Sequence, residues 1–348
     1  MDPLAHTPVT PELLRKIAEI DEFKGRWEAL SNLAPQRLSA LRRIATIESV
    51  GSSTRIEGAR LRDDEIEKLL TGLDVSSFRS RDEQEVAGYA ELMERIFESS
   101  AEIALTENTL RQLHGILLRY SRKDERHRGS YKTFPNNVEA FDVDGRSVGI
   151  IFETATPFDT PRLMETLVSW TNQAFAEQRY HPLLVIAVFV VRFLAIHPFQ
   201  DGNGRLSRAL TTLLLLRTGY RYVPYSSLER IIEDSKDEYY VALRRAQSTL
   251  DEDESQLIDW LMFFVRSLHR QREVLEHKIE QERLMAPLAP LSAKLVAIVD
   301  EHGRVTVRVA AALTQASRNT IKDHLSKLVA AGLLVKRGRG RGTWYEKA

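Results

Sequence analysis

Apolar residues recur at helical spacing along most of the chain, with charged residues on the opposite faces. The pattern predicts helices over 10–32, 37–50, 62–72, 83–99, 106–120 and 160–178, with a break at Ser31 to Pro35. Further helices are predicted over 183–196, 204–217, 236–250 and 255–283. The most apolar of these contains an unbroken run from Leu183 to Val191, which implies burial on nearly all sides. One stretch departs from the helical period. Gly129 to Pro157 mixes Thr, Val, Phe and Ile around a turn at Asp144-Gly145, which predicts a short, exposed β-hairpin. The expected fold class is therefore all-α, with a small hairpin.

The C-terminal end reads differently. Met285-Ala-Pro-Leu-Ala-Pro290 follows a long charged helix and is the strongest linker signal in the chain. Beyond it come a helix over Leu291 to Asp300, a short strand, a helix over 307–313 and a longer helix over 317–331. A glycine- and arginine-rich hairpin closes the chain, which is the order of a winged-helix domain. The expected organisation is an N-terminal helical region (1–104), a helical core (105–285), a linker (286–290) and the winged helix (291–348).

Charge sharpens that division. The whole chain balances 49 Lys and Arg against 49 Asp and Glu, yet residues 291–348 hold 11 basic and 4 acidic residues. A mildly acidic body thus precedes a basic tail, which suggests nucleic acid as one partner. Cysteine is absent, so disulfides, thiol nucleophiles and Cys-ligated zinc are excluded. The opening Met-Asp-Pro-Leu has no basic stretch leading into an apolar one. The longest apolar run is also far short of the roughly 20 residues of a membrane span. A cytoplasmic protein without a membrane partner is expected.

The candidate chemistry is concentrated in His197-Pro-Phe-Gln-Asp-Gly-Asn-Gly-Arg-Leu-Ser-Arg208. An apolar helix ends at a histidine followed by proline, and a second apolar helix begins near Gly204. Gly202, Asn203 and Gly204 can turn successive N–H groups inward as an anion-binding nest, and the positive end of the new helix adds to it. Arg205 and Arg208 stand three apart on that helix and can face one anion. Asp201 beside a phosphate cradle suits Mg²⁺, which takes one or two carboxylates plus phosphate oxygens. His197, with an ordinary imidazole pKa near neutrality, suits a general base. Each residue alone has an ordinary structural explanation, but together they point to a phosphate site.

The segment resembles the Fic family signature HxFx(D/E)GNGRxxR, and matches it at His197, Phe199, Asp201, Gly202, Asn203, Gly204, Arg205 and Arg208. The likeness extends over roughly residues 10–285. It takes in "RGSYK" at 128–132, where Lys132 replaces a common arginine, and the helices preceding the motif. The resemblance implies a helical core with a β-hairpin flap near 134–156. It implies transfer of AMP from ATP to a Ser, Thr or Tyr hydroxyl of a protein, with self-modification expected. In that scheme His197 is the base and Asp201 holds Mg²⁺. Gly202, Asn203 and Gly204 line the anion hole, Arg205 binds the triphosphate and Arg208 grips the γ-phosphate. Phe199 anchors the loop in the core. Tyr239 or Tyr240 contacts adenine, and the flap docks the target by strand addition. Gly204 stands where relatives that transfer a phosphate instead carry a lysine, which favours AMP transfer.

Ser53-Thr-Arg-Ile-Glu-Gly58 is similar to the family's inhibitory motif (S/T)xxxE(G/N), with Ser53 and Glu57 in place. The resemblance implies that Glu57 pairs with Arg208 and repels the triphosphate. The same segment also reads as a helix C-terminus stopped at Gly58. In the tail, Ser317, Arg318, Asn319, Thr320 and Lys322 would lead a recognition helix into DNA, with Arg339 and Arg341 in the wing, so that residues 317–341 form the DNA-binding surface. An alternative function is thus an ATP-sensing, DNA-binding regulator. A homodimer is expected, since two-fold pairs are the commonest assembly.

Overall fold

The computed structural model describes residues 2–5, 7–30, 35–71, 78, 80–141, 147–250, 256–285, 290–330, 332–338 and 340–348. The described chain divides into two compact units, Met1–Leu275 and Glu276–Ala348.

The first unit is helical. Its elements are α1 (Pro11–Leu30), α2 (Pro35–Ile56), α3 (Asp63–Thr71), α4 (Arg81–Ser99) and α5 (Glu107–Leu117), then strands β1 (Val138–Phe141) and β2 (Ser147–Phe152). There follow α6 (Thr160–Glu177), α7 (Pro182–Ile196), α8 (Asn203–Arg217), α9 (Leu228–Asp234), α10 (Lys236–Ser248) and α11 (Leu257–Met285). The fold class is all-α, as its composition of elements requires.

The core is built on α7. Every residue of that helix except Pro182, Arg192 and Ala195 is buried. Burying its aliphatic and aromatic side chains removes about 1.5–3 kcal/mol of unfavourable hydration for each large residue. Helices α6, α8 and α10 pack against it. Trp260 of α11 is buried and donates its indole N–H to Ala187 O at 2.7 Å, so its one polar atom is satisfied inside the core. Capping sets several helix starts. Ser80 and Glu83 form a capping box on α4, and Thr106 Oγ1 accepts from Thr109 N at 3.1 Å on α5. Strands β1 and β2 pair antiparallel with two register irregularities, and the expected turn at Asp144-Gly145 lies outside the described residues.

Three elements depart from the sequence expectation. Helix α2 runs to Ile56 rather than stopping at 50, so the Ser53 segment is its last turn. Helix α9 was not expected; Ser227 Oγ caps it by accepting from Arg230 N at 3.0 Å. The expected break at Ser31–Pro35 is only partly described, because Pro35 begins α2 and 31–34 lie outside the described residues.

The second unit starts within α11 and contains α12 (Pro290–His302), β3 (Arg304–Val305), α13 (Val307–Thr314), α14 (Arg318–Ala330), β4 (Leu334–Arg337) and β5 (Trp344–Lys347). Its strands form an antiparallel sheet of order β3-β5-β4. Leu295, Val299, Ile321, Leu325, Leu328 and Tyr345 are among the side chains of its own closed core. Residues 286–289 of the expected linker, and Arg339, lie outside the described residues.

Candidate active site

The loop between α7 and α8 is shaped by its own sequence. Pro198 disfavours helical backbone at the residue before it. His197 leaves the helix in the left-handed conformation (φ 53°) and caps α7, its N–H bonding Phe193 O at 2.9 Å. Phe199 is fully buried and anchors the loop. Asn203 then closes it. Its Oδ1 accepts from Phe199 N at 2.9 Å and its Nδ2 donates to Phe199 O at 2.6 Å. The Asn203 side chain is therefore occupied in holding the loop, and what it presents to an anion is the helix N-terminus. Gly202 caps α8 with φ 79°, a conformation that suits glycine.

His197 is half-buried. Burial, aided by the nearby Lys132 charge, pushes its imidazole down to about 4, so the near-neutral value expected from sequence is corrected to a firmly neutral ring. Leu194 O lies 3.3 Å from Nδ1. A carbonyl only accepts, so Nδ1 carries the proton and Nε2 holds the basic lone pair.

Asp201 is ringed by donors. Its Oδ1 accepts from Gly202 N at 2.5 Å and from Arg205 Nη2 at 3.2 Å, and its Oδ2 from Arg81 Nη2 at 3.0 Å. Burial opposes ionisation, but Arg205, the Gly202 N–H and Arg81 hold the carboxyl below its usual range. Glu85 completes a ring, its Oε1 accepting from Arg81 Nε at 2.6 Å and its Oε2 lying 3.0 Å from Arg205 Nη1. Arg205 is 2% exposed; its Nη1 is ion-paired to Glu85, and among the described residues its Nε has no acceptor. A buried donor left unmade costs about 1–3 kcal/mol, so the Nε is set to receive an anion.

Arg205 and Arg208 do not converge on one partner. Arg208, 4% exposed, donates through Nε to Ser53 Oγ at 2.9 Å and through Nη2 to Ser53 O at 2.9 Å and Glu57 Oε1 at 2.7 Å. Burial opposes the charged form of Glu57, but Arg208 holds its carboxyl below the ordinary range. The carboxylate lies directly over the first turn of α8: a Cβ on Gly204 would collide with Glu57 Oε1. Only glycine admits that approach. The end of α2 is tied down by Arg55, which donates to Glu233 Oε1 and Oε2 at 2.7 and 3.1 Å and to Asp63 Oδ1 at 2.9 Å. Lys236 Nζ donates to Ile56 O at 2.8 Å from the other side.

These groups open on a cavity of about 760 Å³. One face of α10 forms a wall: Asp237, Tyr240, Val241, Arg244 and Gln247 stand at helical spacing along it. Tyr240 belongs to this stripe. Tyr239 also borders the cavity but is 3% exposed and packs on Trp260 and Phe263, with ring centroids 5.9 and 5.8 Å away. The root of the hairpin also borders the cavity, through Asn136, Asn137 and Phe152. Lys132 is buried and donates to Asn136 Oδ1, Thr154 Oγ1 and Ile196 O at 2.8, 2.9 and 2.9 Å, and burial pushes it down to about 8. Asn136 Nδ2 in turn donates to Phe199 O at 2.6 Å.

Residues 104–215 match the Fic/DOC family model. The chain carries a Fic/DOC domain. A protein adenylyltransferase Fic of Aedes aegypti is 46% identical over 66 residues, 18% of this chain and 13% of that protein. A Fido domain-containing protein of Dictyostelium discoideum is 37% identical over 101 residues, 28% of this chain and 66% of that protein. The chain thus spans only 13% of the mosquito relative's length. A Fic family protein of Desulfovibrio desulfuricans G20 shares the fold over 98% of this chain and 97% of its own, with a TM-score of 0.62 and 24% identity. The Fic/DOC domain ends within α8, so the Arg205–Asp201 contact lies wholly inside it. Glu57, Arg81, Glu85 and α10 all come from outside it. Sequence reasoning missed Arg81, Glu85, Asn136, Arg244 and Gln247. Of these, only the stripe on α10 left a signal, in the helical spacing of "DEYYVALRRAQ".

Proposed function

We propose that the chain is a self-restrained protein adenylyltransferase that moves AMP from ATP to a hydroxyl of a protein. One observation carries this reading: a His197 Nε2 with a free lone pair stands on the loop that leads into a helix N-terminus, and the first turn of that helix carries a buried Arg205 whose Nε has no acceptor among the described residues. ATP places its triphosphate along the 202–204 backbone and Arg205, its γ-phosphate at Arg208, and its base against Tyr240, with Tyr239 behind. His197 Nε2 takes the proton of the target hydroxyl. The hydroxyl oxygen bonds to the α-phosphorus, the bond from that phosphorus to the α,β-bridging oxygen breaks, and pyrophosphate departs. Positioning and charge stabilisation supply most of such an acceleration, and the base about 10²–10⁴-fold. The target segment aligns along the β1–β2 hairpin as an added strand.

Mg²⁺ fits here only as an ion carried in on the phosphates. Among the described residues no group of three or more acidic or histidine side chains could cage a metal, and Asp201 supplies a single ionised carboxylate. When bound, the ion would neutralise charge on the α- and β-phosphates. Asp201 is the residue that would hold it, exchanging Arg81 for the metal on Oδ2.

Glu57 and Ser53 restrain the site. With Glu57 on Arg208, the γ-phosphate meets a carboxylate instead of a guanidinium. The test is to supply Glu57→Gly protein with ATP labelled at either end. Label retained on protein from the α-position and not from the γ-position supports AMP transfer; the reverse pattern supports phosphate transfer and overturns the reading.

A second reading concerns residues 291–348, as a winged helix that binds DNA through 317–341. It rests on the basic excess and on the exposed Ser317, Arg318, Asn319, Thr320 and Lys322 at the head of α14. Phosphate contacts make affinity fall steeply with salt. Binding to random duplex that does not weaken between low and high salt, or no binding, removes it.

A further inference from the structure

His114 on α5 is a fully buried histidine that the scheme above does not use. It joins three separate parts of the chain. Gly129 N donates to its Nδ1 at 2.8 Å, and its Nε2 lies 3.0 Å from Asp201 O. Its ring stacks on Phe199, with centroids 3.9 Å apart and planes 12° from parallel. A backbone N–H can only donate, so Nδ1 carries no proton. A carbonyl can only accept, so Nε2 carries it. The tautomer is thereby fixed, and it is the opposite of the one at His197.

We propose that His114 is the positioning residue of the phosphate loop: its Nε2–H fixes the Asp201 carbonyl, and through it the aim of the Asp201 carboxylate and of the Gly202–Gly204 amides. The inference rests on the adenylyl-transfer reading. The Asp201 carbonyl immediately precedes the αL residue Gly202, so a bond at that oxygen restrains the peptide plane on which the nest is built. Phe199 and Asn203 hold the loop from within and Lys132 and Asn136 hold its first half from the hairpin side, while His114 holds Asp201, at its second half, to α5 and Gly129.

Two substitutions separate the halves of the imidazole. His114→Gln places an amide where Nε2 stands and keeps a donor to Asp201 O. His114→Asn places a carbonyl where Nδ1 stands and keeps an acceptor for Gly129 N–H. Both are made in Glu57→Gly protein, with α-labelled ATP and Mg²⁺ as the probe and thermal midpoints measured alongside. Outer partners of this kind typically change activity by about 10–100-fold. The expected result is that Asn lowers the labelling efficiency, measured as kcat/KM for ATP, by that range and raises the ATP concentration for half-maximal rate. Gln, which keeps the donor to Asp201 O, recovers most of that loss. Equal rates for Asn and Gln, or rates that follow the thermal midpoints alone, overturn the proposal and leave adenylyl transfer standing. No label on the parent Glu57→Gly protein defeats the transfer reading instead. Affinity for Mg·α,β-methylene-ATP then decides His114: Gln binding at least tenfold tighter than Asn supports it, and equal affinities overturn it.

Discussion

Replacing Glu57 with glycine removes the carboxylate that Arg208 holds, and the structure sets the size of the effect. Arg208 is buried and, among the described residues, makes three hydrogen bonds, of which the 2.7 Å bond to Glu57 is the one to a charge. A hydrogen bond to a charged group contributes about 1.5–3 kcal/mol. The Glu57 side chain is 33% exposed, so solvent screening puts this pair near the lower end. That free energy must be given up before a γ-phosphate can take the guanidinium. At about 1.4 kcal/mol per tenfold, relief of the competition tightens nucleotide binding by roughly 10- to 50-fold. Glycine also clears the space over Gly204 that the carboxylate fills. Glu57→Gln should fall between, because it drops the charge and keeps the bulk. The assay is calorimetry with Mg·α,β-methylene-ATP, which binds without reacting. Equal affinities for wild type, Gln and Gly would falsify the competition argument.

Four further outcomes are expected. The labelling rate of Glu57→Gly protein, measured as kcat/KM for ATP, should be flat above about pH 5 and fall as the pH drops through about 4, because only the unprotonated His197 accepts a proton; a limb near neutrality contradicts the burial of that ring. Arg55→Ala frees the last turn of α2 from Glu233 and Asp63 and should raise labelling of otherwise wild-type protein, though less than Glu57→Gly does; unchanged labelling would mean the anchor plays no part. Gly204→Ala should cost about 1–3 kcal/mol by denaturant unfolding, and clearly less in Glu57→Gly protein, because the added Cβ meets the Glu57 carboxylate first; additive losses contradict the close approach. Arg81→Gln removes the cation from Asp201 Oδ2 and should lower the Mg²⁺ or Mn²⁺ concentration needed for nucleotide binding, followed by the paramagnetic signal of Mn²⁺; a higher requirement would make Arg81 a support of the metal site instead of its competitor.

Much of the scaffold was legible along the chain because it is local. The run Leu183–Val191 announces a helix buried on all sides, and His-Pro followed by Gly-Asn-Gly announces the break after it. The loop chemistry was legible for the same reason: its residues are neighbours in sequence, and their conformations are set by Pro198, Gly202 and Asn203. The balance of partners was not. Arg205 and Arg208 look equivalent at helical spacing, yet they diverge because Glu85 on α4 draws one and Ser53 and Glu57 on α2 draw the other. Nothing in a local window signals that Arg81, 120 positions away, will sit on Asp201. His114 hides within an ordinary amphipathic helix, where a histidine carries no mark of its two backbone partners. The pKa of His197 follows burial, and burial is a property of the assembled core.

The central claim is that His197 activates a protein hydroxyl against the α-phosphorus of a nucleotide held on the 202–208 loop. Intact-mass spectrometry of Glu57→Gly protein after incubation with ATP and Mg²⁺, beside the same protein carrying His197→Ala, tests it most directly. An added adenylyl group is expected on the first and none on the second, with both proteins binding nucleotide equally well. Adenylyl addition that persists without the imidazole would contradict it.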